Sequence, residues 1–190
     1  THSKPVLTRL RAFVEAVLAY TGSSKVDIVT HSMGVTLMRK VIEGGTTYDP
    51  NNGGYYNLGP SLSNSVDAFV GIAGANRGLT NCYPYPSNQT LTCDDETGLY
   101  PGYLWWGSLY GVSDILTDMN SSSGYEGDYR YSIWSRNDAI VGYGCIVYGS
   151  NTCYLPGQTG SKEIPTLGHF TLKDYSGPTQ HSMVVDHIVP

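Results

Sequence analysis

The amino-acid sequence predicts an α/β fold, a mostly parallel sheet with helices on both faces, in one domain covering residues 1–190. Three observations carry this. Short β-branched runs alternate along the chain with segments of helical period, the order that builds parallel sheets. The run Ala68-Phe69-Val70-Gly71-Ile72-Ala73 is largely apolar, as a strand covered on both faces must be. No repeat or linker divides the chain, and 190 residues suit one substantial core.

The elements follow in order. Val6 to Tyr20 has Val6, Leu10, Phe13 and Val17 at helical spacing, with Pro5 fit for a first turn and Gly22 for a stop. Val26 to Val29 is a short strand. The tight turn His31-Ser32-Met33-Gly34 leads into a helix over Val35–Ile42, ended by Gly44-Gly45. Residues 46–65 read as loop, with the turn signal Asp49-Pro50-Asn51-Asn52-Gly53-Gly54 inside it. Val66 to Ala73 is the second strand. Residues 76–112 form a long aromatic excursion, and Ser113 to Met119 a short helix. Tyr129 to Trp134 is a third strand, residues 142–160 a Gly-rich loop, Lys162 to Thr166 a last short strand, and Thr179 to Val189 a closing helix.

Composition narrows the function classes. The formal charge of -5, with no basic run, argues against nucleic acid and against an anionic membrane surface as partners. Sixteen tyrosines among 190 residues argue against disorder. Cys82, Cys93, Cys145 and Cys153 allow three disulfide connectivities. Local pairing, Cys82 with Cys93 and Cys145 with Cys153, is the simplest. No C-x-x-C occurs, and His181 and His187 lack the i,i+4 spacing of a zinc helix, so neither a metal nor a cofactor is expected. The sequons at Asn88 and Asn120, beside cysteine pairs, fit a glycosylated, secreted, extracellular protein. No run is long and apolar enough for membrane insertion.

The chemistry centres on Thr30-His31-Ser32-Met33-Gly34. Serine is a poor nucleophile at neutral pH and needs a base in contact, on a turn that lifts its oxygen clear of the backbone. A small-x-Ser-x-Gly pentapeptide between a strand and a helix supplies that turn. A serine before a helix is also a common N-cap, but the strand-turn-helix setting favours the nucleophile. The Met33 N–H, at the helix start, would be one oxyanion donor. His31 is expected to line the site. With a triad in the order serine, acid, histidine, Asp138 is the preferred acid because it follows the strand Tyr129–Trp134. Asp114, Asp118 and Asp128 follow no clear strand. His169, in a loop after the last strand, is preferred over His181 and His187, and His2 is out of order.

These residues resemble the class 2 lipases, small secreted α/β-hydrolases. The likeness runs through Arg11–Val17, Tyr20-Thr21-Gly22, Val26–Gly34, Val66–Asn76, Tyr131–Ser135, Asp138, Gly168-His169 and Met183–His187. It implies an α/β-hydrolase fold, Ser32, Asp138 and His169 as triad, and hydrolysis of carboxylic esters in lipids. Such enzymes begin with a strand and a His-Gly loop carrying the second oxyanion N–H. Nothing before Ser32 matches, so the expectation is an N-terminally incomplete domain. Its partners are then a lipid or small ester substrate, a lipid interface, and the missing N-terminal segment of the same protein; alone, the 190 residues should be a weak enzyme.

Residues 82–111 hold Tyr83-Pro84-Tyr85-Pro86 and Tyr100-Pro101-Gly102-Tyr103-Leu104-Trp105-Trp106. Trp105 and Trp106 fit a substrate-binding acyl wall and, equally, a surface loop packed on its own rings. At the level of function, a lipase or carboxylesterase stands against two alternatives. One is a catalytically impaired relative serving as an extracellular binding or structural component. The other is a different acyl-transfer hydrolase, such as a peptidase or thioesterase.

Overall fold

The computed structural model describes residues 1–83, 85–87 and 90–190. Helix α1, Lys4–Thr21, buries Leu7 and Val14 and ends where Gly22 turns left-handed (φ 68°) and returns its N–H to the Leu18 carbonyl. Strand β1 is Val26–His31 and helix α2 is Met33–Glu43, with Ser32 alone between them. The stretch expected as loop after α2 holds a hairpin instead. Strand β2 (Thr46–Asp49) pairs antiparallel with β3 (Gly54–Asn57), Tyr48 opposite Tyr55. The turn signal at 49–54 was the hairpin's own turn: the Asp49 carboxylate accepts from Asn51 N and Asn52 Nδ2 and also from Lys4 N at the start of α1.

Strand β4 (Val66–Ile72) follows, then the long excursion with the small hairpin β5 (Tyr103–Trp105) and β6 (Ser108–Tyr110). Next come helix α3 (Asp114–Met119), strand β7 (Tyr129–Trp134), and the two-residue strands β8 (Ile146–Val147) and β9 (Ser150–Asn151). Strand β10 is Gly160–Glu163, two residues earlier than expected. A Cβ on Gly160 would lie 2.7 Å from the Val189 side chain, so a glycine can start the strand there, and Pro165 cannot extend the ladder. Helix α4 (His169–Tyr175) was not expected, and the closing helix expected over Thr179–Val189 is instead the end of a short helix α5 (Gly177–His181) followed by a π-helical turn, Ser182–Asp186. Pro178 lacks the N–H a continuous helix would need.

The central sheet has the order β1-β4-β7-β10, every pair parallel. Both faces of β4 are covered. Phe69 packs with Leu7 and Val14 of α1 and Val35 and Val41 of α2. Val70 and Ile72 pack with Tyr131 and Ile133 of β7, Leu172 of α4 and Met183. This is an α/β fold, and the largely apolar run 68–73 has the two-sided burial it requires. Both local disulfides form, Cys82–Cys93 and Cys145–Cys153, with Cα atoms 5.2 and 5.6 Å apart. Among the described residues, strand β1 pairs with β4 on one side and with no strand on the other. Along its other edge runs a groove of about 410 Å³ bordered by Leu10, Phe13 and Val17 of α1, β1 itself and Met38 of α2. No helix is long and apolar enough to cross a membrane among the described residues.

Candidate active site

One residue, Ser32, turns the chain from strand to helix. It adopts φ 58° and ψ -128°, a conformation outside the regions an L-residue favours. The surroundings enforce it. Ser32 N donates to the Ile72 carbonyl at 2.8 Å, and Val35 N donates back to Ser32 O at 3.0 Å. Crowding explains the glycine two residues on: a Cβ at Gly34 would lie 2.5 Å from Thr30 Oγ1. Thr30, bulkier than the small residue such a turn usually carries, is accommodated because Gly34 leaves that space.

The sheet register brings the other groups to the same end. His31 pairs with Ile72, and Ile72 with Ile133, so β1, β4 and β7 finish level. Beyond that edge lie Ser32, the residues that directly follow β4, the loop after β7 and the start of α4, as expected for a site on a parallel sheet. After β7, Asp138 N donates to Ser135 O and closes a turn. The Asp138 carboxylate is 1% exposed. Its Oδ1 accepts from Ile140 N at 2.9 Å and Val141 N at 3.0 Å, which leaves Oδ2 for the ring of His169.

His169 was expected in a loop. It is the first residue of α4, because Gly168 caps the helix through the Thr171 hydroxyl, 3.0 Å from Gly168 N. The ring is nonetheless presented to both partners. Nδ1 donates to Asp138 Oδ2 at 2.7 Å, and Nε2 accepts from the Ser32 hydroxyl at 2.9 Å. A carboxylate can only accept, so the Asp138 contact fixes the proton on Nδ1 and the lone pair on Nε2. Ser32, His169 and Asp138 therefore form one hydrogen-bonded chain across 137 and 31 residues of sequence.

Among the described residues, none of the other candidates hydrogen-bonds to the Ser32 hydroxyl. His187 lies at the opposite end of the sheet, its Nε2 3.1 Å from Asp67 Oδ2 and its ring stacked on Tyr129. Asp118 pairs with Lys40 at 2.6 Å, and Asp128 with Lys25. His2 is buried between Thr97 and Thr36. Among the described residues, the grouping of ligand-type atoms nearest a metal site is Asp138 with Cys145 and Cys153. Those sulfurs are bonded to each other, so they offer no thiolate.

Residues 3–182 match the family described as lipase (class 2). The chain belongs to the class 2 lipase family. Its fold is that of an α/β-hydrolase, and membership carries a lipase-like hydrolase function in general, with a lipid or ester as the kind of substrate. No curated protein matches the chain.

In this class 2 lipase, two neighbours of the chain Ser32–His169–Asp138 shape it further. His31, half-buried, hydrogen-bonds through Nε2 to the His169 carbonyl at 3.0 Å, with the two rings 4.7 Å apart. Burial pushes the His31 imidazole below its ordinary value, against the opposing effect of the bond to that carbonyl. The Asp138 loop is tied down by Gly144 N donating to Asp138 O and by the adjoining Cys145–Cys153 disulfide. Trp105 and Trp106 sit on the β5–β6 hairpin, 61% and 93% exposed, so they do not form a self-packed loop.

Residue-by-residue reasoning missed a buried cluster behind the site. Arg39 of α2 and Glu126 are fully buried and paired at 2.8 Å. Arg39 also donates to Asn76 Oδ1, Asn120 Oδ1 and Met119 O. A signal existed: Val35, Arg39 and Ile42 fall on one helical stripe, so the arginine occupies a core position. Asn120, one of the sequons, uses its Nδ2 to reach the Asn76 carbonyl. The other sequon, at Asn88, lies outside the described residues.

Proposed function

We propose that this protein is a secreted serine hydrolase that cleaves carboxylic ester bonds of lipids through Ser32, His169 and Asp138. The supporting observation is the continuous hydrogen-bond chain from Ser32 Oγ to Asp138 Oδ2, with Ser32 held on a one-residue turn. His169 Nε2 takes the serine proton as Oγ attacks the ester carbonyl. The Nδ1–H bond to Asp138 holds the tautomer and stabilises the imidazolium that forms. The tetrahedral oxyanion is met by the backbone N–H of Met33, which, as the first residue of α2, has no partner within the helix. Collapse of that intermediate expels the alcohol, protonated by His169, and leaves an acyl-Ser32. Water, deprotonated by the same nitrogen, then releases the acid.

A second oxyanion donor is needed, and losing one typically costs about 10²–10³ in rate. The open edge of β1 and the apolar groove beside it are suited to receive one more strand of the same protein carrying that donor. Residues 1–190 are then a single α/β-hydrolase domain completed at this edge. Trp105 and Trp106 offer the apolar surface for the acyl part of the substrate. Two disulfides fit an oxidising, extracellular setting. Asn120 keeps one N–H for the Asn76 carbonyl if a glycan replaces its other hydrogen, so the sequon is compatible with the fold.

A fluorophosphonate probe tests the reading, since it labels only an activated serine. Labelling that disappears in Ser32→Ala, with release of acid from soluble esters, is the expected result. Absence of labelling would favour an extracellular binding or structural component.

A further inference from the structure

The β5–β6 hairpin is built at a cost that nothing within the fold repays. Its strands pair Tyr103 with Tyr110, Leu104 with Leu109 and Trp105 with Ser108. The two-residue turn is Trp106-Gly107, with φ 48° and 80°. Positive φ at both positions defines the hairpin turn that favours Asn-Gly, and a bulky residue there is a genuine outlier. Trp106 takes that strained position and is 93% exposed. It therefore gains no burial in return for the strain.

The rest of the hairpin is exposed on both faces. Tyr103, Trp105 and Tyr110 line one concave side, and Leu104 and Leu109 stand on the other, all about half exposed. A flat sugar platform would account for the ring face and leave the two leucines and the tip unexplained. A body that surrounds the hairpin accounts for all of them. The base is fixed: Tyr148 donates its hydroxyl to Gly102 O at 2.7 Å and stacks on Tyr83. Tyr148 belongs to the β8–β9 turn, inside the loop closed by Cys145–Cys153, next to the segment that carries Asp138. The hairpin thus belongs to the end of the sheet where Ser32 lies.

The geometry points to an anchor: the hairpin inserts its tip into an uncharged lipid surface, zwitterionic or neutral, and holds the Ser32 end of the domain against it. This rests on the reading of the Ser32 site as a lipid esterase. Tryptophan and tyrosine are the residues that settle at the lipid–water boundary. Charge selects the lipid class. Residues 103–110 carry no charge, the chain carries -5, and Asp95, Glu96 and Asp114 adjoin the hairpin's base, with Asp114 N and Ile115 N bonded to the Asp95 and Glu96 carbonyls. An anionic surface is therefore repelled.

The test is binding of the full chain to phosphatidylcholine vesicles, followed by quenching of tryptophan emission with brominated lipid. Wild type should bind and be quenched, and adding phosphatidylglycerol should weaken binding. Trp106→Asn should bind at least about fivefold more weakly, from the lost apolar area, while its thermal midpoint stays equal or rises because the turn is relieved. No binding by wild type, or equal binding by Trp106→Asn, overturns the anchor. A lowered midpoint with binding unchanged also overturns it, as does lipid-free dimerisation that Trp106→Asn abolishes, which would make a second copy the occupant. The two readings fail separately. Fluorophosphonate labelling of Ser32 without vesicle binding sinks the anchor alone; vesicle binding without labelling sinks the esterase and leaves the anchor standing.

Discussion

His31 and His169 are joined head to tail: the His31 Nε2–H donates to the His169 backbone carbonyl at 3.0 Å. The side chain one residue before Ser32 thus holds the peptide whose own ring accepts from Ser32. Neighbours at a sharp turn point apart, and here the divergence lets residues 31 and 32 grip His169 from backbone and ring at once. Replacing His31 by Phe keeps a flat ring and removes the donor. Loss of one such bond, about 0.5–1.5 kcal/mol, should lower kcat on a soluble ester about two- to tenfold with KM little changed. His31→Gln, which can still donate, should recover part of the loss. An unaltered kcat in His31→Phe would show that α4 needs no such tether.

Thr30 and Gly34 form a compensating pair. A methyl at 34 would sit 2.5 Å from Thr30 Oγ1, so Gly34→Ala should displace the turn and lower kcat at least about tenfold, since small misplacements of a reacting group are costly. Thr30→Gly in the same chain removes the obstacle and should restore most of the rate. If the double variant is no better than Gly34→Ala alone, the crowding account fails.

The two disulfides close loops of similar length, with sequence separations of 11 and 8, so loop entropy assigns each about 2–3 kcal/mol. Their effects on activity should differ. Cys145–Cys153 closes the segment whose Gly144 N holds the Asp138 carbonyl, whereas Cys82–Cys93 lies in the excursion after β4. Serine at 145 and 153 should reduce kcat more than serine at 82 and 93, for equal losses of thermal stability. Measured side by side, equal reductions would mean that the Asp138 loop is held without its disulfide.

Order and pattern make much of this legible in the sequence. The helix at 6–20, the strands at 66–73 and 129–134 and the turn at 30–34 each have a period or a breaker that local chemistry dictates. The hairpin at 46–57 was hidden because its turn signal outweighed two four-residue strands with mixed Thr and Tyr. Helix α4 was hidden because Gly168 and Pro178 bound a piece too short for a period to show, and the helix expected at 179–189 starts earlier, at Gly177, and turns π-helical after His181. Ser32, Asp138 and His169 could be named from chain order, yet the His31 tether and the Arg39–Glu126 pair depend on contacts 138 and 87 residues apart, which no local pattern encodes.

Arg39 and Glu126 show what that pairing is worth. Both are fully buried, and the arginine also holds Asn76, just past the end of β4, and Met119 and Asn120 at the end of α3. Glu126→Ala strands a buried cation and should destabilise the protein by about 3–5 kcal/mol. The loss should be visible as a lower midpoint in urea. Glu126→Gln keeps an acceptor for Arg39 Nε and should cost clearly less. Equal costs for the two would mean that charge, not shape or an acceptor oxygen, is what the site requires.

His2 gives the fold an acid limit. It is fully buried, with Nδ1 2.9 Å from Thr97 O and Nε2 3.0 Å from Thr36 Oγ1. The carbonyl must accept, so the neutral ring carries its proton on Nδ1 and leaves Nε2 to accept from the Thr36 hydroxyl. Burial, the largest cause, holds the imidazole down at about 4, against an ordinary 6.5, while the Thr97 bond pulls the other way. The sign follows from linkage. Above 6.5 the ring is neutral in both folded and unfolded chains, and the full stability is present. As pH falls from 6.5 toward 4 the unfolded chain takes up a proton that the folded one refuses, so stability is lost through this window and levels off below it. A shift of that size corresponds to about 3 kcal/mol. Urea unfolding between pH 7 and pH 4 should show the loss, and His2→Gln, which cannot titrate, should flatten that part of the profile. A profile of unchanged slope in the variant would place the acid limit on other groups.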